Sequence, residues 1–333
     1  MLSKKRLLVS VVIPVYNEAG VVEQIHARLA AVLNTLQHDV EIYYVDDGSS
    51  DRTPAALELL AAHDTRIHPL SLSRNFGHQA ALTAGMDYAA GDVVITMDGD
   101  GQHPPELIPQ MIDLVRQGYD VVQAQRIDEG QALSFKKITS DVFYWLINHI
   151  SGTRIEQGAA DFRALSRQAL DGLKAMPEYH RFLRGMIAWT GYPTIILPYH
   201  EPQRVAGKSK YSLGKMLRLA SDAVFSFSLM PLYIGLSAGG AFILLALAQM
   251  VYVLVLWLTG QYNKIVPGWS SLMAVLLIAS GLIMILLGFI GVYVGYIFQQ
   301  VKARPVYLVK QRNDDAEIPA PAKSMSHPQA NLK

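Results

Sequence analysis

The sequence predicts an α/β protein: an open, mostly parallel sheet with helices on both faces, followed by two membrane-spanning helices. Three observations carry this expectation. Short β-branched runs alternate with amphipathic segments over residues 7–122. Polar residues gather in the loops that follow those runs, and no Asp, Glu, Lys or Arg lies between Asp222 and Lys264 or between Lys264 and Lys302. Strand–helix alternation is the pattern of a sheet covered on both faces, and right-handed crossovers place every strand-to-helix loop on one edge.

In order, Lys4, Lys5 and Arg6 lead into a Val/Ile-rich run that reaches Pro14 without a small-residue cleavage site. It therefore reads as a first strand and not as a secretory signal. Strands are expected at 8–13, 40–45, 67–72, 93–97 and 120–122, with helices at 19–36, 53–62, 77–89 and 105–117. The loops between them read Pro14-Val15-Tyr16-Asn17-Glu18, Asp46-Asp47-Gly48-Ser49-Ser50-Asp51, Ser73-Arg74-Asn75-Phe76-Gly77-His78-Gln79 and Asp98-Gly99-Asp100-Gly101-Gln102. Any one of them is explained by helix capping, with Asp51 or Ser50 serving the second helix and Asn17 its neighbour. Four on one edge, with the pairs Asp46/Asp47 and Asp98/Asp100, argue otherwise, because clustered carboxylates repel unless a cation or ligand uses them. An Asp-x-Asp at a strand tip lies where open α/β sheets bind ligands. Mg2+ or Mn2+, which prefer oxygen donors, would there bridge carboxylates to substrate phosphates.

Composition narrows the class. At 333 residues with 51% hydrophobic and 17% charged residues, the chain exceeds one average domain and is apolar for a soluble protein. A net charge of +1 gives no broad footprint for nucleic acid. The absence of cysteine excludes disulfides, thiol catalysis and cysteine-ligated zinc, and the ten histidines show no close metal-ligand spacing and read as ordinary.

Spans are expected near 232–258 and 271–298, each long enough for roughly 30 Å of hydrocarbon. Lys208, Lys210, Lys215 and Arg218 precede the first and Lys302, Arg304, Lys310 and Arg312 follow the second, with Lys264 alone between them. This bias puts the amino-terminal domain and both termini in the cytoplasm. Only Gln249 interrupts the apolar stretch of the first span, so the pair reads as an anchor and not as a conduction path. Gly235-x-x-x-Gly239 and Gly291-x-x-x-Gly295 permit close helix approach, although glycine is common in membrane helices in any case. Two stripes, Phe135 through Ile150 and 213–227, combine apolar residues with Lys136 and Lys137 or Lys215 and Arg218. A core helix would show the same stripe, and helices lying at the membrane interface are the favoured reading. The organisation expected is a domain at 1–212, a juxtamembrane helix at 213–230, an anchor at 231–300 and a tail at 301–333, disordered from 313.

The series VVIPVYNEA, VDDGSSDRT, LSRNFGHQAAL and MDGDGQHPPE resembles the family 2 glycosyltransferases of the GT-A fold. Within them it is similar to the polyprenyl-phosphate glycosyltransferases, such as dolichyl-phosphate mannose synthase and bacterial GtrB, over about 9–211 and on through both spans. The resemblance implies a Rossmann-like catalytic domain, interfacial amphipathic helices and two transmembrane helices. It implies inverting transfer of a hexose from a nucleotide-sugar to a polyprenyl phosphate at the bacterial inner membrane. UDP-glucose leads as donor over UDP-N-acetylglucosamine, UDP-galactose and GDP-mannose, with undecaprenyl phosphate as acceptor and a homo-oligomer, a tetramer by resemblance. Pro14, Tyr16, Asn17, Glu18, Asp46, Asp47, Arg74, Asn75, Gln79, Asp98, Asp161 and Arg163 are thereby assigned to the nucleotide-sugar. Asp98, Asp100 and Gln102 are assigned to a divalent metal, Mg2+ or Mn2+, on the diphosphate.

Ala160-Asp161-Phe162-Arg163 matches the family's Asp-Phe-Arg element beside the sugar. Asp161, a catalytic candidate with Asp98 and Asp100, would orient the donor, steady positive charge or act as base. Alternatively it pairs with Arg163 or caps a helix near Ser166. A phosphate monoester has its second pKa near 6, so the acceptor is already largely a dianion and needs alignment more than deprotonation. The cations and hydroxyls expected to align it are Arg126, Lys136, Lys137, Ser140 and the Arg204–Lys210 loop with Ser209, which matches the family's Arg-x-x-Gly-x-Ser-Lys-Tyr. Anionic-lipid attraction explains Lys136 and Lys137 equally well. Arg181, Arg184 and Trp189 form a further segment that would border the acceptor or only pack. A processive polysaccharide synthase is disfavoured by the missing Gln-x-x-Arg-Trp element, and a non-catalytic sugar-nucleotide-binding protein by retention of Asp98, Asp100, Asp161 and Arg204.

Overall fold

A computed structural model describes residues 6–127, 159–200, 230–260 and 268–310. They belong to two compact units, Met1–Ser212 with Arg304–Lys333, and Leu213–Ala303. The candidate residues Lys136, Lys137, Ser140, Arg204, Ser209 and Lys210, the two amphipathic stripes and the tail beyond 310 lie outside the described residues.

In the first unit a seven-stranded sheet runs β3-β2-β1-β4-β6-β5-β7. Its strands are β1 (Leu8–Val15), β2 (Asp39–Asp46), β3 (Ile67–Ser71), β4 (Val93–Thr96), β5 (Val121–Arg126), β6 (Ala159–Ser166) and β7 (Thr194–Tyr199). The helices α1 (Val22–Leu33), α2 (Thr53–His63), α3 (His78–Tyr88), α4 (Ile108–Arg116), α5 (Arg167–Lys174) and α6 (Leu183–Trp189) connect them. β1 is buried from Val9 to Val15, as expected of a central strand covered on both faces. The expected strands are all present, with β5 extending to Arg126, and the first helix is shorter than its apolar pattern suggested. The sheet is mixed: β6 runs antiparallel to both β4 and β5, while β1, β2, β3 and β4 pair in parallel.

Two features tighten the core. Gly85 of α3 lies so close to the sheet that a Cβ there would collide with Val12 and stand 2.9 Å from Val45 Cγ2. His26 of α1 is 8% exposed, with Nδ1 3.3 Å from the Tyr44 hydroxyl and Nε2 3.5 Å from Asp64 Oδ2. Burial lowers its pKa; Asp64 opposes that shift and Arg66 reinforces it. A histidine held below its unfolded pKa of about 6.5 adds stability above that pH and loses it as pH falls toward the folded value. The thermal midpoint of the first unit is therefore expected to drop on acidification from about pH 7 to about pH 5, and to drop less in His26→Gln. An identical pH slope in the two proteins would remove His26 as a source.

In the second unit, α7 (Met230–Leu258) and α8 (Trp269–Val301) contain the apolar stretches Gly239–Leu256 and Ile278–Val301, of which 7% and 0% are buried. Helices so apolar and so little covered by protein are of the kind that spans a membrane. Gly235 is a close-approach residue: a Cβ there would collide with Leu286, whereas among the described residues nothing lies within 4 Å of the corresponding position at Gly239, Gly291 or Gly295.

Candidate active site

The carboxyl ends of the parallel strands carry the polar loops, and short hydrogen bonds lock these loops to one another. Asn17, in a left-handed backbone conformation (φ 55°), donates its N–H to Ser49 Oγ at 2.9 Å and accepts the Ser50 N–H on Oδ1 at 2.9 Å. It ties the first loop to the second instead of capping α1. Asp51 does serve the start of α2, accepting the Thr53 N–H at 2.9 Å. Asp47, 4% exposed, accepts the N–H groups of Phe76 and Gly77 at 2.7 and 2.9 Å and so fastens the third loop. Burial pushes the Asp47 carboxyl up, against those two N–H donors. Gly48 (φ +67°) sits against the backbone of Arg74 and Asn75, where a Cβ would stand 2.6 Å from the Asn75 nitrogen, so only glycine fits. Tyr16, Arg74 and Asn75 are exposed on this rim, Glu18 is half-buried, and Pro14 and Asp46 are buried.

β4 and β6 bring the two acidic motifs together. Thr96 pairs with Arg163 in the antiparallel register, which places Asp161 across from the residues that follow β4, and the Thr96 hydroxyl donates to the Asp161 carbonyl at 2.7 Å. The Asp98 N–H donates to His103 Nδ1 at 2.8 Å, leaving Nε2–H to face Asp98 Oδ2 at 3.5 Å. His103 is itself held by stacking on Phe162, with ring centroids 5.2 Å apart. Asp98 Oδ1 is buried, accepts no hydrogen bond among the described residues, and faces His78 Nε2 at 3.3 Å.

Asp161, its side chain 4% exposed, is surrounded by cations. Arg163 Nη2 donates to it at 2.5 Å, and Arg184 of α6 forks onto both oxygens through Nε at 3.1 Å and Nη2 at 3.0 Å. His78 Nε2 stands at 3.3 Å and Gln79 Nε2 at 3.5 Å. Burial alone would raise the Asp161 carboxyl, but Arg184, the His78 hydrogen bond and Arg163 outweigh it and hold it well below the usual carboxylate range. Burial likewise disfavours a charged His78, and Asp161 and Asp98 overcome that and raise it. The Asp161–Arg163 pair foreseen as an alternative is thus real, and it coexists with the cluster. Ser166 itself caps α5, its Oγ accepting the Ala169 N–H at 3.1 Å.

His78, Asp98 and Asp161 offer ligand atoms that all lie within 4.8 Å of one another. With the orphaned Asp98 Oδ1 among them, the donor set fits a divalent cation. Asp100 and Gln102 are half-buried on the same turn, where Asp100 Oδ1 accepts the Gln102 N–H at 3.1 Å. The histidines are therefore not all ordinary, contrary to the sequence reading: His78 joins the cluster and His103 orients Asp98. His78 lies inside the quoted LSRNFGHQAAL motif, but no spacing rule flags it because its partners come from β4 and β6. Arg184 reaches Asp161 from α6, whereas Arg181 donates to the Met176 carbonyl at 2.8 Å and Trp189 is 68% exposed. Arg126 ends β5 and is exposed.

Residues 10–172 match the model of glycosyl transferase family 2. The chain is 39% identical over 306 residues to the uncharacterized glycosyltransferase YkcC of Bacillus subtilis, spanning 91% of this chain and 93% of that one. The chain belongs to glycosyl transferase family 2. Its mixed sheet, with the Asp-x-Asp after β4, is the GT-A arrangement that the motif series implied. It is also 35% identical to the prophage bactoprenol glucosyl transferase homolog of Escherichia coli over 91% of this chain and 98% of that one. Identity to the SfII prophage-derived bactoprenol glucosyl transferase of Shigella flexneri is 36%, over 91% and 97%. This glycosyltransferase thus aligns with those relatives over nearly all of their length.

Proposed function

We propose that this glycosyltransferase moves a hexose, with glucose from UDP-glucose as first choice, onto the phosphate of a polyprenol such as undecaprenyl phosphate, at the cytoplasmic face of a bacterial membrane. The observation that carries the reading is near full-length similarity to bactoprenol glucosyl transferases in a chain that also has two uncovered apolar helices. UDP-N-acetylglucosamine, UDP-galactose and GDP-mannose remain the alternative donors.

A phosphate oxygen of the acceptor attacks the anomeric carbon as the bond to the nucleotide diphosphate breaks, inverting the centre. Positive charge grows on the sugar, as in glycoside hydrolysis, and negative charge on the leaving diphosphate. A divalent metal, when bound, neutralises that leaving charge, and Asp98, Asp100 and Gln102 are its proposed holders with His78 beside them. Asp161 orients the sugar and faces the developing positive charge. The arginines that keep it ionised make it a poor proton acceptor, and a dianionic acceptor needs none. The rim residues Tyr16, Asn17, Glu18, Asp47, Arg74, Asn75 and Gln79 hold the nucleotide-sugar. Arg126, Lys136, Lys137, Ser140, Arg204, Ser209 and Lys210 hold the acceptor phosphate.

The experiment is transfer of radiolabelled sugar from a panel of UDP- and GDP-sugars to undecaprenyl phosphate by detergent-purified protein with Mn2+ or Mg2+. Labelled lipid from one donor is expected. None from any donor, in protein that binds nucleotide, would overturn the acceptor.

A further inference from the structure

Residues 304–310 follow α8 in the chain and belong to the first compact unit. By sequence they are part of the expected tail, yet they pack against the third polar loop. That loop, Ser73 to Gln79, bears Arg74 and Asn75 on the rim and His78 and Gln79 beside Asp161. It leaves β3, an edge strand that pairs with β2. Loops of this kind open at low free-energy cost unless something holds them.

Residues 306–310 hold this one. Leu72, just past β3, forms an antiparallel bridge with Val309. The Ser73 N–H donates to the Leu308 carbonyl at 2.8 Å, and the Lys310 N–H donates to the Ser71 carbonyl at 2.8 Å. These bonds fix the backbone at the start of the loop, next to Arg74. The Tyr307 hydroxyl donates to Asp87 Oδ2 at 3.0 Å, and Asp87 lies on α3, the helix that His78 and Gln79 begin. Val306 lines a cavity of about 230 Å³ together with Arg74, Phe76, Gln79 and Ala80. The segment thus meets the start of the loop and the helix that follows it, while Asp47 fastens the middle through Phe76 and Gly77.

We propose that residues 306–310 brace the third polar loop and that Tyr307 is a positioning residue for sugar transfer. Tyr307 acts through Asp87 and α3 on His78 and Gln79, and the backbone of 308–310 acts through Ser71 and Ser73 on Arg74 and Asn75. Reaction geometry is demanding: misplacing a group by about 1 Å can cost about 100-fold in rate. The inference rests on the nucleotide-sugar reading above for what the loop binds. It deepens that reading by making the chain beyond the second apolar helix responsible for the register of donor-side residues.

The test uses full-length protein in detergent, with hydrogen exchange read by mass spectrometry and steady-state transfer from the active donor to undecaprenyl phosphate. Tyr307→Phe removes one hydroxyl, and Lys310→Pro removes the N–H given to Ser71. Each is expected to speed exchange across residues 73–79. Each is also expected to raise the KM for the donor and to lower kcat by about tenfold, with the KM for the lipid unchanged. Simple loss of folded protein would lower the apparent kcat and move neither KM. Asp87→Asn keeps an acceptor oxygen for the Tyr307 hydroxyl and should behave as wild type, whereas Asp87→Leu should copy Tyr307→Phe. Unchanged exchange over 73–79, or an unchanged donor KM, in Tyr307→Phe would overturn the brace. No transfer by the wild type from any donor, with exchange still faster in the variants, would strike the substrate reading alone. Leu72 and Val309 form a non-hydrogen-bonded pair, whose side chains lie close. Because the chain has no cysteine, a Leu72→Cys, Val309→Cys double variant reads the docking directly. A disulfide within one chain is expected under mild oxidant, and a bond solely between two copies, or none, would overturn the brace.

Discussion

Asp161→Asn is expected to reduce transfer by about 10²- to 10³-fold, the scale on which one preorganised electrostatic partner is lost, while the protein still inserts in membrane. The side chain keeps its shape, so the loss would be one of charge. In the wild type the carboxylate faces Arg163, Arg184 and His78 and is almost fully buried. Neutralising it takes from Arg163, which is 2% exposed, the carboxylate to which its Nη2 donates. Breaking one partner of such a pair costs about 3–5 kcal/mol, so the thermal midpoint of the catalytic unit should fall with activity. The two effects separate through donor binding: UDP affinity should survive, because UDP lacks the sugar that Asp161 is proposed to orient. Near wild-type turnover in this variant would remove Asp161 from the reaction.

The second large effect is expected at the Asp-x-Asp. Asp100→Ala should abolish both transfer and its dependence on Mn2+ or Mg2+. Asp100 makes one contact among those above, to the neighbouring Gln102 N–H, so little of the fold depends on it and the loss would report on the metal. Asp98→Ala should have the same effect on transfer and also release His78 from one of its two carboxylates. Calorimetric titration of Mn2+ into the UDP complex checks this apart from turnover: binding should vanish in both variants. Normal Mn2+ binding in Asp100→Ala would move the metal to the group formed by His78, Asp98 and Asp161.

Much of the fold and the rim was legible in the residues. The β-branched runs, the turn residues after them and the charge-free intervals are local signals, since each depends on neighbours a few positions away. They located β1 to β5, the four polar loops and both apolar helices. Asp51 shows the limit of that reading. The same side chain type that holds the first residue of α2 by a local hydrogen bond recurs as Asp47, which instead fastens a loop 29 residues away through Phe76.

What the sequence by itself determined is the alternation that makes an α/β sheet, the chemistry carried on its carboxyl edge, and two helices too apolar for water. The tertiary structure alone decided which of those residues meet. The antiparallel register of β6 sets Asp161 beside Asp98, and α6 brings Arg184 onto it. His78, ordinary by spacing, becomes part of the cluster, and Val309, from beyond the last helix, forms a bridge with Leu72 just past β3. The physical reason is that periodicity encodes which face of an element is buried. Strand order and register are decided between segments far apart in the chain, where burial on both sides of the sheet and paired backbone groups must be satisfied at once.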